Sequence, residues 1–252
     1  MGKVGSKTIS TTLPHCTLWK ADRSPACRSV MMALDAMDIS LTEVDLDMDK
    51  AEHTVSDIAA MNPLKTLPIL KDRELILYDS HTISSYLASR YCIDKILPQD
   101  PAGRALVDQL MHFDSGVLQP QYRSSVYPIL YENCRYVTSQ QIASIECAYK
   151  DLETMLTGRA WLSGSWVTLG DIAVAASVST LNIIVPVDKL KFPLLSSWLF
   201  RMSEQPFYIT GNNKGLYEFI KRIDKGVDVK EFKKCPRTSL TRRSTGGKLS
   251  ET

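Results

Sequence analysis

Residues 62–81, NPLKTLPILKDRELILYDSH, contain two short apolar runs that are separated by a charged turn. The runs predict two strands joined at Lys71–Arg73, and so short a connection permits an antiparallel hairpin. The segment KAEHTVSDIAAMNP predicts a short helix that stops before Pro63, because the residue before a proline is driven out of the helical region. After the hairpin, SHTISSYLASRY at 80–91 has a helical apolar stripe. This part of the chain therefore predicts the order helix, strand, strand, helix.

The residues before the hairpin add a strand, a helix and a second strand. CTLWK at 16–20 predicts a strand, VMMALDAM at 30–37 a helix, and ISLTEVDLD from Ile39 a strand with period-two alternation. The resulting order is β-α-β-α-β-β-α, in which the first βαβ unit is parallel and right-handed and the last two strands are antiparallel. We therefore predict a mixed α/β domain over residues 14–95, preceded by a flexible N-terminal extension at 1–13.

Strand patterns disappear beyond residue 101, and long helical patterns replace them. We predict an all-α domain of about five helices over 104–224. The proline-flanked segment ILPQDPAG at 96–103 is the predicted linker, and Pro120 and Pro128 should kink or break the first long helix. The helical patterns cover residues 104–118, 139–156, 170–184 and 192–205.

The distribution of charge excludes several classes of protein. Residues 225–252 carry eight Lys/Arg and three Asp/Glu, whereas the rest of the chain carries 22 basic and 25 acidic residues. The segment is predicted to be a disordered basic tail, and the body lacks the positive charge typical of nucleic-acid-binding domains. No apolar run reaches the ~18 residues of a membrane span, and the N-terminus shows no secretory signal.

The six cysteines of the chain stand at spacings that do not suggest a metal site. There is no CxxC motif and no Cys/His cluster, so no metal is expected. Without a secretory signal, the cysteines are interpreted as reduced thiols of a cytoplasmic protein. They are Cys16, Cys27, Cys92, Cys134, Cys147 and Cys235.

Thr168 and Asp171 precede a helix that is almost free of charge, IAVAASVSTLNII. The threonine hydroxyl is placed to accept a backbone N–H, and the aspartate carboxylate is placed to accept the N–H of Thr168. The helix behind them is predicted to be the buried centre of the second domain. We therefore expect a capping box with a structural role.

Three places in the first domain suggest chemistry, and each also has a structural interpretation. Ser24 precedes a helix, where its hydroxyl and the free N–H groups can stabilise a thiolate, or it simply caps that helix. Pro68 is either a cis proline that exposes the backbone of Leu67 to an extended peptide or an ordinary trans proline at a strand start. Asp79 and Ser80 either bind an ammonium and a carboxylate or cap the next helix.

Taken together, these motifs resemble one family. Ser-Pro-x-Cys-Arg from Ser24, Asn-Pro-x-x-Thr-x-Pro from Asn62 and Asp-Ser-His from Asp79, followed by an all-α domain, are similar to the cytosolic glutathione S-transferases. The insect delta and epsilon classes are the most similar, and epsilon above all. The resemblance spans about 14–222 and implies a thioredoxin-like first domain and glutathione as co-substrate. The second domain agrees in FDSGVL at 113–118, VTLGDIAVAASVST at 167–180 and FPLLSSW at 192–198.

The resemblance implies a role for each of the candidate residues. Ser24 would donate a hydrogen bond to the glutathione sulfur and stabilise the thiolate. Leu67, followed by a cis Pro68, would pair with the cysteinyl backbone of glutathione, while Asp79 and Ser80 would hold the γ-glutamyl ammonium and carboxylate. The other implied glutathione-binding residues are His53 near the glycyl end, Lys65, Thr66 and His81.

Two departures from the family's pattern concern the substrates. Lys65 stands where the family usually has histidine, and its point charge could still pair with the glycyl carboxylate. After FDSGVL the chain continues with QPQYR from Gln119, which predicts a more polar electrophile pocket than is usual. The candidate electrophile-binding residues are Gln119, Tyr122, Arg123 and Tyr127.

The implied activity is conjugation of glutathione to apolar electrophiles, in detoxification of xenobiotics or in a specialised endogenous step. The resemblance also implies a homodimer, and no metal, nucleic acid or membrane span is expected. One alternative is a non-catalytic carrier of an apolar ligand on the same fold. Another is a thiol–disulfide enzyme that uses Ser24-x-x-Cys27, although this motif lacks the attacking cysteine at its first position.

Overall fold

A four-stranded mixed sheet forms the centre of the first domain. The structure is a computed structural model, and it describes residues 11–91, 93–132, 134 and 136–224. The strands are β1 (Thr11–Lys20), β2 (Ile39–Asp45), β3 (Ile69–Asp72) and β4 (Leu75–Tyr78). They lie in the order β2-β1-β3-β4, with β1 and β2 parallel and the other two pairs antiparallel. The predicted mixed sheet, with its parallel first unit and its antiparallel hairpin, is confirmed.

Strand β1 begins earlier than the sequence predicts. It includes residues 11–13, which were expected in the flexible extension, and it pairs with β2 from Thr11 opposite Ile39. The polar start of β1 gives no apolar alternation, but the ladder is made by backbone groups and needs no apolar side chain. Residues 1–10 lie outside the described residues.

Three α-helices complete the first domain. They are α1 (Pro25–Ala36), α2 (Ser56–Met61) and α3 (Ser80–Arg90), and a single 3₁₀ turn at Glu52–Thr54 precedes α2. Helix α1 starts well before the predicted 30–37, because Ser24 caps it and Pro25 occupies its first turn, where a missing N–H costs nothing. Helix α2 ends before Pro63, as the sequence predicts.

Seven α-helices make up the described part of the second domain, rather than about five. They are α4 (Pro101–Phe113), α5 (Gln119–Ser125), α6 (Tyr127–Tyr131), α7 (Ser139–Met155), α8 (Leu169–Ile184), α9 (Pro193–Ser203) and α10 (Pro206–Asp224). The Asp100 carboxylate caps α4, so the predicted linker at 96–103 ends earlier than expected. The sequence does not predict α10, since Gly211 and Gly215 interrupt its apolar stripe.

The helical backbone continues from α4 through a π-helical turn into α5, so Pro120 does not end it, whereas α5 ends at Ser125, three residues before Pro128. In this turn, Asp114–Leu118, the N–H of Gln119 donates to the carbonyl of Asp114, five residues back instead of four. Pro120 has no N–H to donate and its ring would clash with a carbonyl inside a regular helix. Pro120 and Pro128 instead lie in the first turns of α5 and α6.

Helix α8 is the buried centre of the second domain, as its lack of charge predicts. Every residue from Leu169 to Leu181 is buried. The helix begins with a capping box, in which Thr168 Oγ1 accepts the N–H of Gly170 at 3.3 Å. In return, Asp171 Oδ2 accepts the N–H of Thr168 at 3.3 Å. The apolar helix and its cap thus anchor the packing of the second domain.

The described ranges contain no helix that is both long and apolar enough to cross a bilayer. Four of the six cysteines fall within these ranges, and all four are free thiols. Cys92, Cys235 and the predicted basic tail at 225–252 lie outside the described residues.

Candidate active site

A cleft of about 420 Å³ lies between the two domains, and we call it the interdomain cleft. The first domain contributes the start of α1, the loop before β3 and the turn between β4 and α3. The second domain contributes the π-helical turn and α5. The lining residues are Ala26, Leu64, Thr66, Leu67, Pro68, Tyr78, Asp79, Ser80, His81, Ser115, Gln119, Pro120 and Arg123. The cleft thus brings six predicted glutathione-binding residues next to two predicted electrophile-binding residues.

Ser24 caps helix α1, whose first turn reaches the interdomain cleft at Ala26. Its Oγ accepts the N–H of Cys27 at 3.4 Å, which is a long hydrogen bond. Ser24 is half-buried, whereas Cys27 is fully buried. Burial raises the pKa of the Cys27 thiol to about 11, so this thiol is neutral near pH 7. Of the two side chains, only the serine hydroxyl is open to a bound ligand.

The loop before β3 is braced from inside by Asn62, a fully buried residue to which the sequence gives no role. Its amide nitrogen donates to the carbonyl and the hydroxyl of Thr66, at 2.9 and 3.0 Å, and its amide oxygen accepts the N–H of Leu64 at 3.0 Å. The loop ends in a cis peptide bond between Leu67 and Pro68. These contacts fix the loop on both sides of Lys65, and Leu67 lies in the lining of the cleft, while the β-addition hypothesis stays a prediction.

Asp79 occupies the turn between β4 and α3 with an unusual backbone. Its φ is +81°, a region that residues other than glycine rarely adopt and that often marks a functional site. Its Oδ1 accepts the N–H groups of His81 and Thr82, each at 3.0 Å. The carboxylate therefore caps α3 with one oxygen, and its other oxygen accepts no hydrogen bond from the described residues. Ser80, the next residue, is buried in the wall of the cleft.

A buried pair joins the two domains beside the cleft. His81 Nε2 lies 2.9 Å from Asp114 Oδ2, and both side chains are largely shielded from water. Burial alone lowers the pKa of the His81 imidazole, but the hydrogen bond and the charge of Asp114 outweigh it, so the pKa lies above its usual value. Asp114 belongs to the π-helical turn, a feature that is frequent at functional sites.

This pair makes the stability of the protein dependent on pH. A histidine whose pKa is raised by folding stabilises the folded state below its unfolded pKa of about 6.5, and this contribution is lost as the pH rises through the folded pKa. We expect His81→Gln to lower the free energy of unfolding more at pH 6 than at pH 8.5, by about 1 kcal/mol. Denaturant unfolding of both proteins at the two pH values tests this. A difference that does not change with pH would contradict it.

Five predicted site residues lie outside the lining of the interdomain cleft, and Ser24 is one of them. His53 is partly exposed, and its Nδ1 is buried with no hydrogen-bond partner among the described residues. Lys65 is exposed and has a φ of +53°. Tyr122 is partly buried, and burial raises its pKa. Tyr127 is exposed and is the first residue of α6.

Two polar side chains on the α5 side of the cleft differ in how firmly the protein holds them. Gln119 donates through Nε2 to the hydroxyl of Ser177 on α8, at 2.9 Å, so its amide is fixed. Arg123 is exposed and lines the cleft. The sequence predicts no role for Ser177 or Asp114, because each lies far along the chain from the residue it contacts. Asp114 belongs to the FDSGVL motif, but the motif does not indicate its partner.

Away from the cleft, the fold brings together three potential metal ligands that sequence spacing does not reveal. Suitable atoms of His15, Cys16 and Asp72 lie within 4.8 Å of one another. The carboxylate of Asp72 already accepts a hydrogen bond of 2.6 Å from the Tyr86 hydroxyl and lies 3.4 Å from Arg90. Both contacts are made to Oδ2, whereas the buried Oδ1 lies 3.4 Å from His15 Nε2 and has no hydrogen-bond partner among the described residues. The absence of a metal stays a prediction.

Two family models and several known proteins match the chain. Residues 18–92 match the model described as glutathione S-transferase, N-terminal domain, and residues 139–206 match the model described as glutathione S-transferase, C-terminal domain. Glutathione S-transferase 1 of Manduca sexta is 39% identical over 202 residues, which are 79% of this chain and 93% of that protein.

Solved structures agree with the sequence matches. An epsilon-class glutathione S-transferase of the housefly, Musca domestica, is 31% identical, with a TM-score of 0.81 over 84% of this chain and 98% of the other. A glutathione transferase homologue from Drosophila mojavensis with bound glutathione is also 31% identical, with a TM-score of 0.81 over 84% and 97% of the two chains. The chain belongs to the glutathione S-transferase family.

Proposed function

We propose that this glutathione transferase uses the Ser24 hydroxyl to stabilise the thiolate of glutathione. The observation that carries the proposal is the interdomain cleft, which the first turn of α1, the cis-proline loop and the Asp79–Ser80 turn all line. A peptide thiol held against the Leu67 backbone would lie at the start of α1. There, the partial positive charge of the helix N-terminus and the serine hydroxyl both favour an anion.

The proposed reaction is nucleophilic attack by sulfur. Glutathione loses its thiol proton to solvent, and the sulfur anion accepts a hydrogen bond from the Ser24 hydroxyl. The thiolate then forms a bond to the electrophilic carbon, and a leaving group departs or, in an addition, a proton is taken up. A free thiol has a pKa of about 8.5, so stabilising its anion raises the fraction that reacts at neutral pH.

The rest of the cleft supports binding of the tripeptide along its length. Asp79 has one carboxylate oxygen that we propose for the γ-glutamyl ammonium, and the buried Ser80 is proposed to bind the γ-glutamyl carboxylate. The Leu67 backbone would pair with the cysteinyl residue. For the glycyl carboxylate, the buried and unpartnered Nδ1 of His53 offers a directional contact and Lys65 a point charge. Thr66 and His81 complete this set.

The proposed electrophile pocket lies on the α5 side of the cleft. Arg123 and the fixed amide of Gln119 give this wall a polar rim, and Pro120 and Ala26 give it apolar contacts. Tyr122 and Tyr127 follow on the same segment and are proposed as outer contacts of a larger substrate. We propose an electrophile with an apolar reactive part. We also propose that the protein works in the cytoplasm as a homodimer, and light scattering of the purified protein tests whether it is a dimer.

Titration of the bound thiol tests the role of Ser24 directly. Thiolate absorbance of glutathione on the wild-type protein should give a pKa well below that of free glutathione. In Ser24→Ala the pKa of the bound thiol should rise by about 2, because the loss of one donor to a buried anion costs roughly 2.7 kcal/mol.

The same titration separates the alternatives. A carrier would bind glutathione without lowering the pKa of its thiol, and a protein without a glutathione site would show no saturable change at all. A thiol–disulfide enzyme would depend on Cys27, so activity that survives Cys27→Ala excludes that alternative.

A further inference from the structure

The C-terminal helix α10 packs on the loop that carries Ser24. Gly215 lies so close that a Cβ atom on it would be 2.0 Å from the carbonyl oxygen of Asp22. One residue earlier, Lys214 Nζ lies 2.6 Å from Asp22 Oδ2, and Lys20 Nζ lies 2.5 Å from Asp22 Oδ1. Asp22 is therefore held at its backbone and at both carboxylate oxygens.

The carboxylate of Asp22 is a charged partner in this arrangement. Burial would raise its pKa, but the hydrogen bonds from Lys20 and Lys214 hold the pKa below its usual value. Asp22 is largely buried, with 8% of its surface exposed, whereas Lys214 reaches it from the exposed face of α10. Because the carboxylate is buried, solvent and salt screen its ion pair with Lys214 less than they screen a pair between two exposed groups.

A displacement of Asp22 is passed on to Ser24, because the two residues belong to one tight turn. In residues 21–24, which we call the Ser24 loop, the N–H of Ser24 donates to the carbonyl of Ala21 at 2.9 Å. The carbonyl of Ser24 in turn accepts the N–H of Arg28 at 3.0 Å, which joins the loop to α1. Because these two hydrogen bonds join the residues of the loop to one another and to α1, a shift of Asp22 also shifts Ser24.

Helix α10 is itself fixed relative to α1. Gly211 approaches the backbone of Met32, where a Cβ atom would be 2.5 Å from the Met32 nitrogen. The fully buried Arg28 guanidinium donates to Asn212 on α10 and to Ser179 and Thr180 on α8. These contacts set the register of α10, so Lys214 and Gly215 face Asp22.

We propose that α10 is a positioning element for the proposed catalytic serine: Gly215 and Lys214 act on Asp22, hold the Ser24 loop in place and thereby set how strongly Ser24 stabilises the glutathione thiolate. This inference rests on the proposed role of Ser24. It assigns a function to a helix that begins at Pro206, where the match to the C-terminal family model ends.

Gly215→Ala tests the proposal, with Gly170→Ala at the start of α8 as its control. Both variants add one methyl group at a crowded glycine, and a Cβ atom on Gly170 would be 2.7 Å from the Leu110 side chain, so both should lose stability. Only the Gly215 variant pushes on the Ser24 loop, and a catalytic group displaced by about 1 Å can lose up to ~100-fold in rate. We expect Gly215→Ala to lower kcat at least tenfold and to raise the pKa of the bound glutathione thiol, while Gly170→Ala keeps both values.

Two variants of surface lysines on α10 test the same proposal without introducing a steric clash. Lys214→Met removes the ion pair to Asp22, and Lys221→Met removes a lysine of the same helix that lies over the Tyr217 ring, 4.2 Å from its centroid. The Lys214 variant should raise the pKa of bound glutathione and lower kcat about threefold, whereas the Lys221 variant should match the wild type.

A double variant separates positioning from general destabilisation. If α10 acts through the serine hydroxyl, Gly215→Ala should have little further effect on thiolate pKa in a Ser24→Ala background. Equal effects in both backgrounds, or equal effects of the two glycine variants, would overturn the proposal. If Ser24→Ala alone leaves the thiolate pKa unchanged, the proposed role of Ser24 fails and the inference fails with it. If Ser24→Ala raises this pKa and neither Gly215→Ala nor Lys214→Met does, only the inference fails.

Discussion

Asp171→Ala should lower the free energy of unfolding by about 4 kcal/mol, the largest loss of stability that we expect from a single side chain. Its Oδ1 accepts the N–H of Leu162 at 2.8 Å and the indole N–H of Trp198 at 3.0 Å. Its Oδ2 accepts the Ser163 hydroxyl at 2.8 Å and the N–H of Thr168 at 3.3 Å. Alanine would leave several buried donors without a partner.

These donors come from three separate parts of the second domain, which explains why the expected effect exceeds that of an ordinary cap. Leu162 and Ser163 precede α8, Thr168 begins it, and Trp198 is the fully buried tryptophan of α9. Burial raises the pKa of Asp171, while the hydrogen bonds it accepts oppose the rise. The side chain therefore joins the start of α8 to α9 through a network that no single replacement residue reproduces.

Asp100→Ala is the matched control for this prediction. Asp100 also caps a helix, since its Oδ1 accepts the N–H of Gly103 at 2.8 Å, but the contact is exposed. Loss of such a cap costs about 1 kcal/mol. Asp171→Asn, which keeps one acceptor, should fall between the two alanine variants. Chemical denaturation measures all three, and an Asp171→Ala loss no larger than that of Asp100→Ala would contradict the argument.

Local patterns were enough to predict most of the first domain. The charged turn at Lys71–Arg73 lies between β3 and β4, and the cap formed by Ser24 starts α1. These features depend on residues that are neighbours in the sequence, so local sequence patterns predict them. The start of β1 at Thr11 could not be found in this way, because its pairing with Ile39 depends on backbone groups that are distant in sequence.

The same distinction separates the predicted and the missed parts of the candidate site. The motifs from Ser24, Leu67 and Asp79 are each local, and the fold brings two of them directly into the lining of the cleft and the third to its edge through Ala26. The contact of His81 with Asp114 joins two residues that are 33 positions apart and lie in different domains, so no local sequence pattern predicts it. Helix α10 was missed because Gly211 and Gly215 serve close packing, which a count of apolar residues does not register.

The largest expected effect on activity is that of Ser24→Ala on kcat/KM with a chromogenic aryl halide as electrophile. We expect a loss of roughly 10²–10³-fold, the size that accompanies removal of one hydrogen-bond donor to a reacting anion. The serine hydroxyl donates a stronger hydrogen bond to the sulfur anion than to the neutral thiol. The loss of rate should therefore appear mainly in kcat near neutral pH. At a pH above the thiol pKa of the variant, much of the loss should disappear, because the thiolate then forms without help.

Ser24 also caps α1, so the loss of rate must be separated from a loss of the cap. Glycine is a much better cap than alanine, and neither residue carries a hydroxyl. Ser24→Gly and Ser24→Ala should therefore lose activity equally, although the alanine variant should be the less stable by about 1 kcal/mol. If Ser24→Gly keeps the wild-type rate, the serine serves the helix and not the chemistry. If both variants lose the rate while Cys27→Ala keeps it, the hydroxyl at the start of α1 is the group that makes glutathione reactive.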